Sequence, residues 1–369
     1  MWRITRTLNR LIRLSAFIFS VAIVVTCFLS GPSLGGTIEK EDKLGEQVAK
    51  EVEQRWEVVS DPYQVALVEM VLDRCVPFVE RKLNYRIKII EEELPNAFAI
   101  PGGLIYVTGG MMDFVKSDDE LAAVVAHELV HSDKNHILRQ AARNQKLTIG
   151  ALLVAVASKG KGPAMLLANL AQVAIMNAYS KDFEREADLG GLHILVKAGY
   201  APSASVTVLE RLKMEQLKRP YVDPGIYMEH PKTEERIDYI LEAMKEENLP
   251  INRKIPLGLL RPRIEKKEGR LNLWVDNVVV CWGPSLPAVL KSFERFASVI
   301  EEDLKLETAP YDVDVVTTKR GEALRIGKSI ALRSEDLCEN MPTLEEIRLN
   351  LITALENAKK QHPMANYFR

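Results

Sequence analysis

The sequence predicts an α+β protein: a mainly helical body around one small β-sheet, followed by a small α+β module. Three observations carry this. Apolar residues recur at helical spacing through most of the first 250 or so positions. Within that stretch, strand-like patterning is confined to residues 85–90 and 98–107. Near Ile255-Pro256-Leu257 and Pro262 the texture changes to short strands alternating with amphipathic helices. A chain of 369 residues exceeds one typical domain. The expected division is 1–37 as leader, 38–256 as the main domain and 257–369 as an accessory α+β domain.

The leader shows in the placement of charge. Arg3, Arg6, Arg10 and Arg13 precede an apolar run over residues 14–30, and the first acidic residue is Glu39. A basic start, an apolar core and the exit Ser30-Gly31-Pro32-Ser33 describe an export signal. The run sits at the short limit for a spanning helix, so the segment is either a cleaved signal peptide or an N-terminal membrane anchor. Either way the body is exported and faces the extracytoplasmic side. No clean A-x-A cleavage site is present, and Val24-Val25-Thr26-Cys27 makes a poor lipidation box. Net charge is −2, which supplies no basic field for nucleic acid.

Along the body, residues 41–60 form a charged amphipathic helix and 62–83 a second. Residues 85–90 alternate as a strand. Residues 98–107 make two short extended pieces around the Pro101-Gly102-Gly103 turn. Ser117-Asp118-Asp119-Glu120 is a capping box, and the apolar run 121–126 carries its helix into His127-Glu128-Leu129-Val130-His131. Residues four apart share a helix face, so His127 and His131 point the same way. Two such imidazoles suit Zn²⁺, one ion per chain, and Glu128 beside them suits a general base rather than a ligand. Zinc that keeps one position open needs a third protein ligand. Glu184, in Glu184-Arg185-Glu186-Ala187-Asp188, is the candidate, with Asp188 one turn on as a partner for a ligating imidazole. The same stretch also reads as a solvated helix face.

These pieces, taken together, resemble the gluzincin family of membrane-associated zinc metallopeptidases that includes the HtpX, BepA and Oma-type proteases. The matching segments are Asn96-Ala97-Phe98-Ala99-Ile100-Pro101-Gly102-Gly103, the HExxH, the ExxxD and His230-Pro231, across roughly residues 39–249. The resemblance implies a zincin-like fold and an endopeptidase. It implies His127, His131 and Glu184 as zinc ligands, Glu128 as catalytic base and Asp188 behind the ligands. It implies an edge segment, Asn96, Ala97, Phe98 and Ala99, that holds an extended substrate by strand addition. His230 becomes a second catalytic residue, stabilising an oxyanion or latching the open metal position. Without the resemblance, Asn96 is a turn residue after Pro95 and His230 a loop residue. His136, five positions beyond His131, is expected off the ligand face, either behind a ligand or as a structural residue.

Two apolar segments, 147–158 and 164–179, lie between the zinc motifs, and neither reaches membrane-span length. They are expected as buried or lid-forming helices. In the accessory module, 271–282, 313–316 and 329–332 are expected as strands and 286–304 and 344–360 as helices, serving an unknown protein partner. Cys281 and Cys338 are either a disulfide pair or small buried side chains. The functional expectation is a zinc endopeptidase acting on extended or misfolded protein substrates in cell-envelope quality control, periplasmic or membrane-anchored. The alternative is a latched, largely non-proteolytic chaperone-like module using the same cleft.

Overall fold

Period-two strands and long apolar helices meet in a three-layer body. The structure is a computed structural model that describes residues 34–157, 161–176, 179–218 and 233–363. The leader through residue 33 and the His230-Pro231 pair lie outside the described residues. The chain opens with α1 (Leu34–Glu53) and α2 (Pro62–Cys75), the latter capped by Asp61, whose carboxylate accepts from the Gln64 amide at 2.8 Å. Both helices are shorter at their C-termini than the patterning suggests. Trp56 and Val58 already leave α1, with Val58 bridging Ile90. Pro77 cannot continue α2, and the chain passes into a 3₁₀ turn, Val76–Phe78.

The sheet follows: β1 (Arg86–Ile90), β2 (Ala97–Ile100) and β3 (Leu104–Thr108), in the order β1-β3-β2. β2 and β3 form an antiparallel hairpin with Ile100 opposite Leu104. Gly102 and Gly103 turn it at φ 83° and 85°, a region closed to most side chains. Side chains alternate between two cores. Ala97, Ala99, Ile105 and Val107 face one, with α2 and the helices that carry the site. Phe98, Ile100, Leu104 and Tyr106 face the other, beneath α1 and four later helices.

Beyond α3 (Gly109–Phe114), helix α4 (Asp118–Asp133) begins at Ser117, whose hydroxyl accepts from the Glu120 amide. The Glu120 carboxylate reaches the Lys116 amide at 2.8 Å and Arg211 instead of closing the expected box on Ser117. Then come α5 (His136–Gln145), α6 (Ile149–Ala157), α7 (Lys161–Ile175), α8 (Lys181–Ala198), α9 (Ala204–Lys218) and α10 (Thr233–Glu246). α6 and α7 bury Leu152, Leu153, Leu170 and Val173 against the second core. No helix among the described residues is long and apolar enough to cross a membrane.

A short α11 (Lys254–Leu257) leads to the C-terminal module, which has its own core. The module is a doubled unit: β4 (Pro262–Lys267), β5 (Arg270–Val275), β6 (Val278–Pro284) and α12 (Pro287–Asp303), then β7 (Val313–Thr318), β8 (Gly321–Ile326), β9 (Ser329–Arg333) and α13 (Leu344–Gln361). Each half is a three-stranded meander followed by a helix. The expected single strand over 271–282 is therefore a hairpin, turned at Asp276 with φ 50°. Cys281 is buried, Cys338 is exposed, and both carry free thiols. Two buried cations tie the module to the body. Arg253 pairs with Glu210 at 2.8 Å and Glu307 at 2.8 Å. Lys254 donates to the carbonyls of Ile300, Glu301 and Leu304 at the end of α12.

Candidate metal centre

Helices α4 and α8 cross closely because small residues face the crossing. A Cβ on Gly190 would come within 2.9 Å of Val130, and one on Gly191 within 3.3 Å of the His127 amide. That approach brings Glu184 to His127 and His131. The two Nε2 atoms lie 3.1 Å apart. Glu184 Oε2 is 3.7 Å from His127 Nε2, and its Oε1 is 3.6 Å from His131 Nε2. A tetrahedral ion with bonds of about 2.0–2.1 Å spaces its ligand atoms by about 3.3 Å. The donor set fits such an ion in type and spacing. These three residues are the one such group among the described residues.

Behind the triangle, the second ring nitrogen of each imidazole is also engaged. His127 Nδ1 faces Asp188 Oδ1 at 3.0 Å. Asp188 also takes a two-pronged donation from Arg236, Nε at 2.8 Å and Nη2 at 2.7 Å, and a hydrogen bond from the Tyr239 hydroxyl. Arg236 Nη1 reaches Glu184 Oε2 at 3.2 Å. Burial works against an Asp188 carboxylate, yet Arg236 and His127 together hold its pKa well below the usual range. Arg236 thus serves both acidic residues of the ExxxD stretch. Sequence reasoning missed it and Tyr239, because their partners lie about fifty positions upstream; the only local signal is the buried-face position of Arg236 on α10.

His131 Nδ1 contacts His136 Nδ1 at 3.0 Å, and His136 Nε2 contacts Glu186 Oε2 at 3.1 Å. His136 is therefore not one of the three donors and lies behind His131, one of the two places expected for it, although a continuous helix would not have brought it there. Asn135, at φ 57°, breaks the helix and swings the ring back. The Tyr179 ring stacks on His131 with centroids 4.1 Å apart.

Glu128 lies beside the triangle, 1 % exposed, and its Oε2 accepts from the Ala99 amide at 3.0 Å. Burial pushes its carboxyl up to about 8, with the Glu184 charge adding and His127 opposing. The sheet order leaves β2 at the margin that faces α4. Asn96 ties the start of β2 to α7, its side-chain amide donating to the Ile175 carbonyl at 3.1 Å. Ala97, Phe98 and Ala99 are all buried.

The chain is similar to known proteins over much of its body. The description "Peptidase family M48" matches residues 62–244. The chain is 28 % identical over 218 residues to the "Beta-barrel assembly-enhancing protease" of Escherichia coli K12, covering 56 % of this chain and 45 % of that protein. It is 29 % identical over 164 residues to the "Mitochondrial metalloendopeptidase OMA1" of Schizosaccharomyces pombe, covering 44 % and 48 %. It is 29 % identical over 172 residues to the "Metalloprotease LoiP" of Escherichia coli K12, covering 45 % and 65 %. The chain thus spans less than half the length of the first two. Residues 62–244, which hold the His127–His131–Glu184 triangle, thus form a domain of the peptidase family M48 type, a family of metallopeptidases.

Proposed function

We propose that this protein is a zinc-dependent endopeptidase that cleaves extended or misfolded protein substrates, with His127, His131 and Glu184 as the zinc ligands. The observation that carries the reading is the convergence of two imidazole nitrogens and a carboxylate at 3.1–3.7 Å, with a buried glutamate beside them. Zinc held there would supply Lewis-acid polarisation of a water and of the scissile carbonyl. The chain's own residues do the rest. Glu128, anchored through Oε2 by Ala99, takes the water proton on its other oxygen and passes it to the leaving amine. Asp188 orients His127 and balances its charge, and Arg236 keeps Asp188 ionised. The outward edge of β2, at Asn96 to Ala99, pairs with a substrate strand. His230 stabilises the oxyanion or latches the site.

Two observations support a reading in the cell envelope: the basic-then-apolar leader and the similarity to a relative named for β-barrel assembly. On that reading the substrates are exported proteins, the N-terminal segment offers membrane attachment, and residues 257–369 serve as an accessory domain for a protein partner. The test is cleavage of an unfolded protein such as casein by protein starting at Glu39, compared with its Glu128→Gln and His230→Ala variants. Loss in Glu128→Gln supports the peptidase; a slower His230→Ala then assigns the oxyanion role, and a faster one identifies a latch. A chaperone-like module would hold casein equally well in all three and cleave it in none.

A further inference from the structure

We propose that His136 is a positioning residue for the metal centre. It accepts the Nδ1 proton of His131 and thereby fixes which nitrogen His131 turns to the metal, while Glu186 anchors the far side of the His136 ring. This rests on the metallopeptidase reading above.

The chain of contacts allows one consistent placement of protons. With His131 Nε2 turned to the donor triangle, the proton of the neutral ring sits on Nδ1. That Nδ1 lies 3.0 Å from His136 Nδ1, which must then be the acceptor. The proton of a neutral His136 is then on Nε2, 3.1 Å from the Glu186 carboxylate that receives it. Nothing lets the His136 ring turn away. It is fully buried and stacked face to face on Phe183, centroids 4.4 Å apart and planes 10° from parallel. Arg139 lies 4.3 Å from the centroid of the Phe183 ring and also reaches Glu186 at 3.3 Å.

The backbone is built for this contact. In an unbroken helix, a residue five positions on lies about 140° around the axis from its predecessor. The left-handed Asn135 ends α4 and starts α5 in a new direction, which brings His136 behind His131. Asn accepts that conformation more readily than most residues. The two ligating imidazoles are therefore held differently. His127 is backed by a carboxylate already engaged with Arg236 and Tyr239. His131 is backed by an imidazole whose own anchor, Glu186, is 40 % exposed. A hydrogen-bonded line thus runs from the metal position to the protein surface.

The test is zinc affinity, measured by chelator competition, alongside the melting temperature of each zinc-free protein. His136→Phe keeps an aromatic ring against Phe183 but removes the acceptor, and should weaken zinc by about 10–100-fold. His136→Asn places an acceptor oxygen near the position of Nδ1 and should return affinity to within about threefold of wild type. Because Glu186 is partly exposed, Glu186→Ala gives a second probe that leaves the core intact. It should weaken zinc, and Glu186→Gln should restore it. His136→Phe and Glu186→Ala binding zinc like wild type would overturn the positioning role while leaving the metallopeptidase reading standing. Asn failing to rescue where Phe fails would reduce His136 to packing. A wild-type protein that holds no zinc would remove both.

Discussion

The Ala99 amide donates to Glu128 Oε2 at 3.0 Å, so the edge strand and the proposed base form one hydrogen-bonded unit. An edge strand normally offers its outward amides to a substrate. Here one of them is spent on orienting the carboxylate, and the sheet margin and the HExxH helix are locked in register.

That link makes Glu128→Gln a clean probe. Glutamine keeps an acceptor for Ala99 and loses only the proton chemistry. Burial raises the Glu128 carboxyl to about 8 in the zinc-free protein, above its unfolded value. A raised acid pKa gives stability that is full below the unfolded value and is lost as pH climbs to about 8. Zinc-free Glu128→Gln should therefore melt higher than wild type at pH 8, with the gap closing towards pH 4.5. Melting curves across that range check it; equal curves would contradict the burial argument.

Arg236 carries the buried charge balance of the ExxxD stretch. Removing one partner of a buried ion pair costs about 3–5 kcal/mol, because the remaining charge keeps its desolvation penalty. Arg236→Met should lose stability of that order by urea denaturation. It should also lose zinc, since Asp188 and Glu184 both shift. Loss of zinc with unaltered stability would show that Arg236 acts only on the metal.

Gly191 sets the distance between α8 and α4 at His127. Gly191→Val should cost about 1–3 kcal/mol through overpacking and weaken zinc by spreading Glu184 from the two imidazoles. An affinity equal to wild type would mean that the triangle is set elsewhere.

Arg253 clamps the C-terminal module through Glu210 and Glu307. His362 Nε2 meets the same Glu210 at 2.7 Å. Arg253→Met should cost about 3–5 kcal/mol and split one thermal transition into two, which calorimetry would resolve. A single transition at the wild-type temperature would contradict the clamp.

The site was legible where it depends on local geometry. The i, i+4 spacing alone places His127 and His131 on one face, and the break at Pro101-Gly102-Gly103 marks the β2–β3 hairpin. Glu184 needed the family resemblance, since spacing cannot say which distant acidic helix packs against α4. Arg236, and the particular contact that His136 makes with His131, were beyond it for related reasons. One finds its partner across the core, and the other depends on a left-handed Asn135 that no hydrophobic period records. In the C-terminal module, Asp276-Asn277 sits inside a continuous apolar run, so a hairpin read as a single strand. β4 and β8 escaped because charged residues interrupt their apolar pattern.

The most direct test is zinc content and casein cleavage of wild type and Glu128→Gln, side by side. Both proteins should hold one zinc per chain. Cleavage by wild type should fall by about 10²–10⁴-fold in the variant. Well-folded wild-type protein without zinc, or cleavage unchanged by Glu128→Gln, would contradict the zinc-peptidase reading.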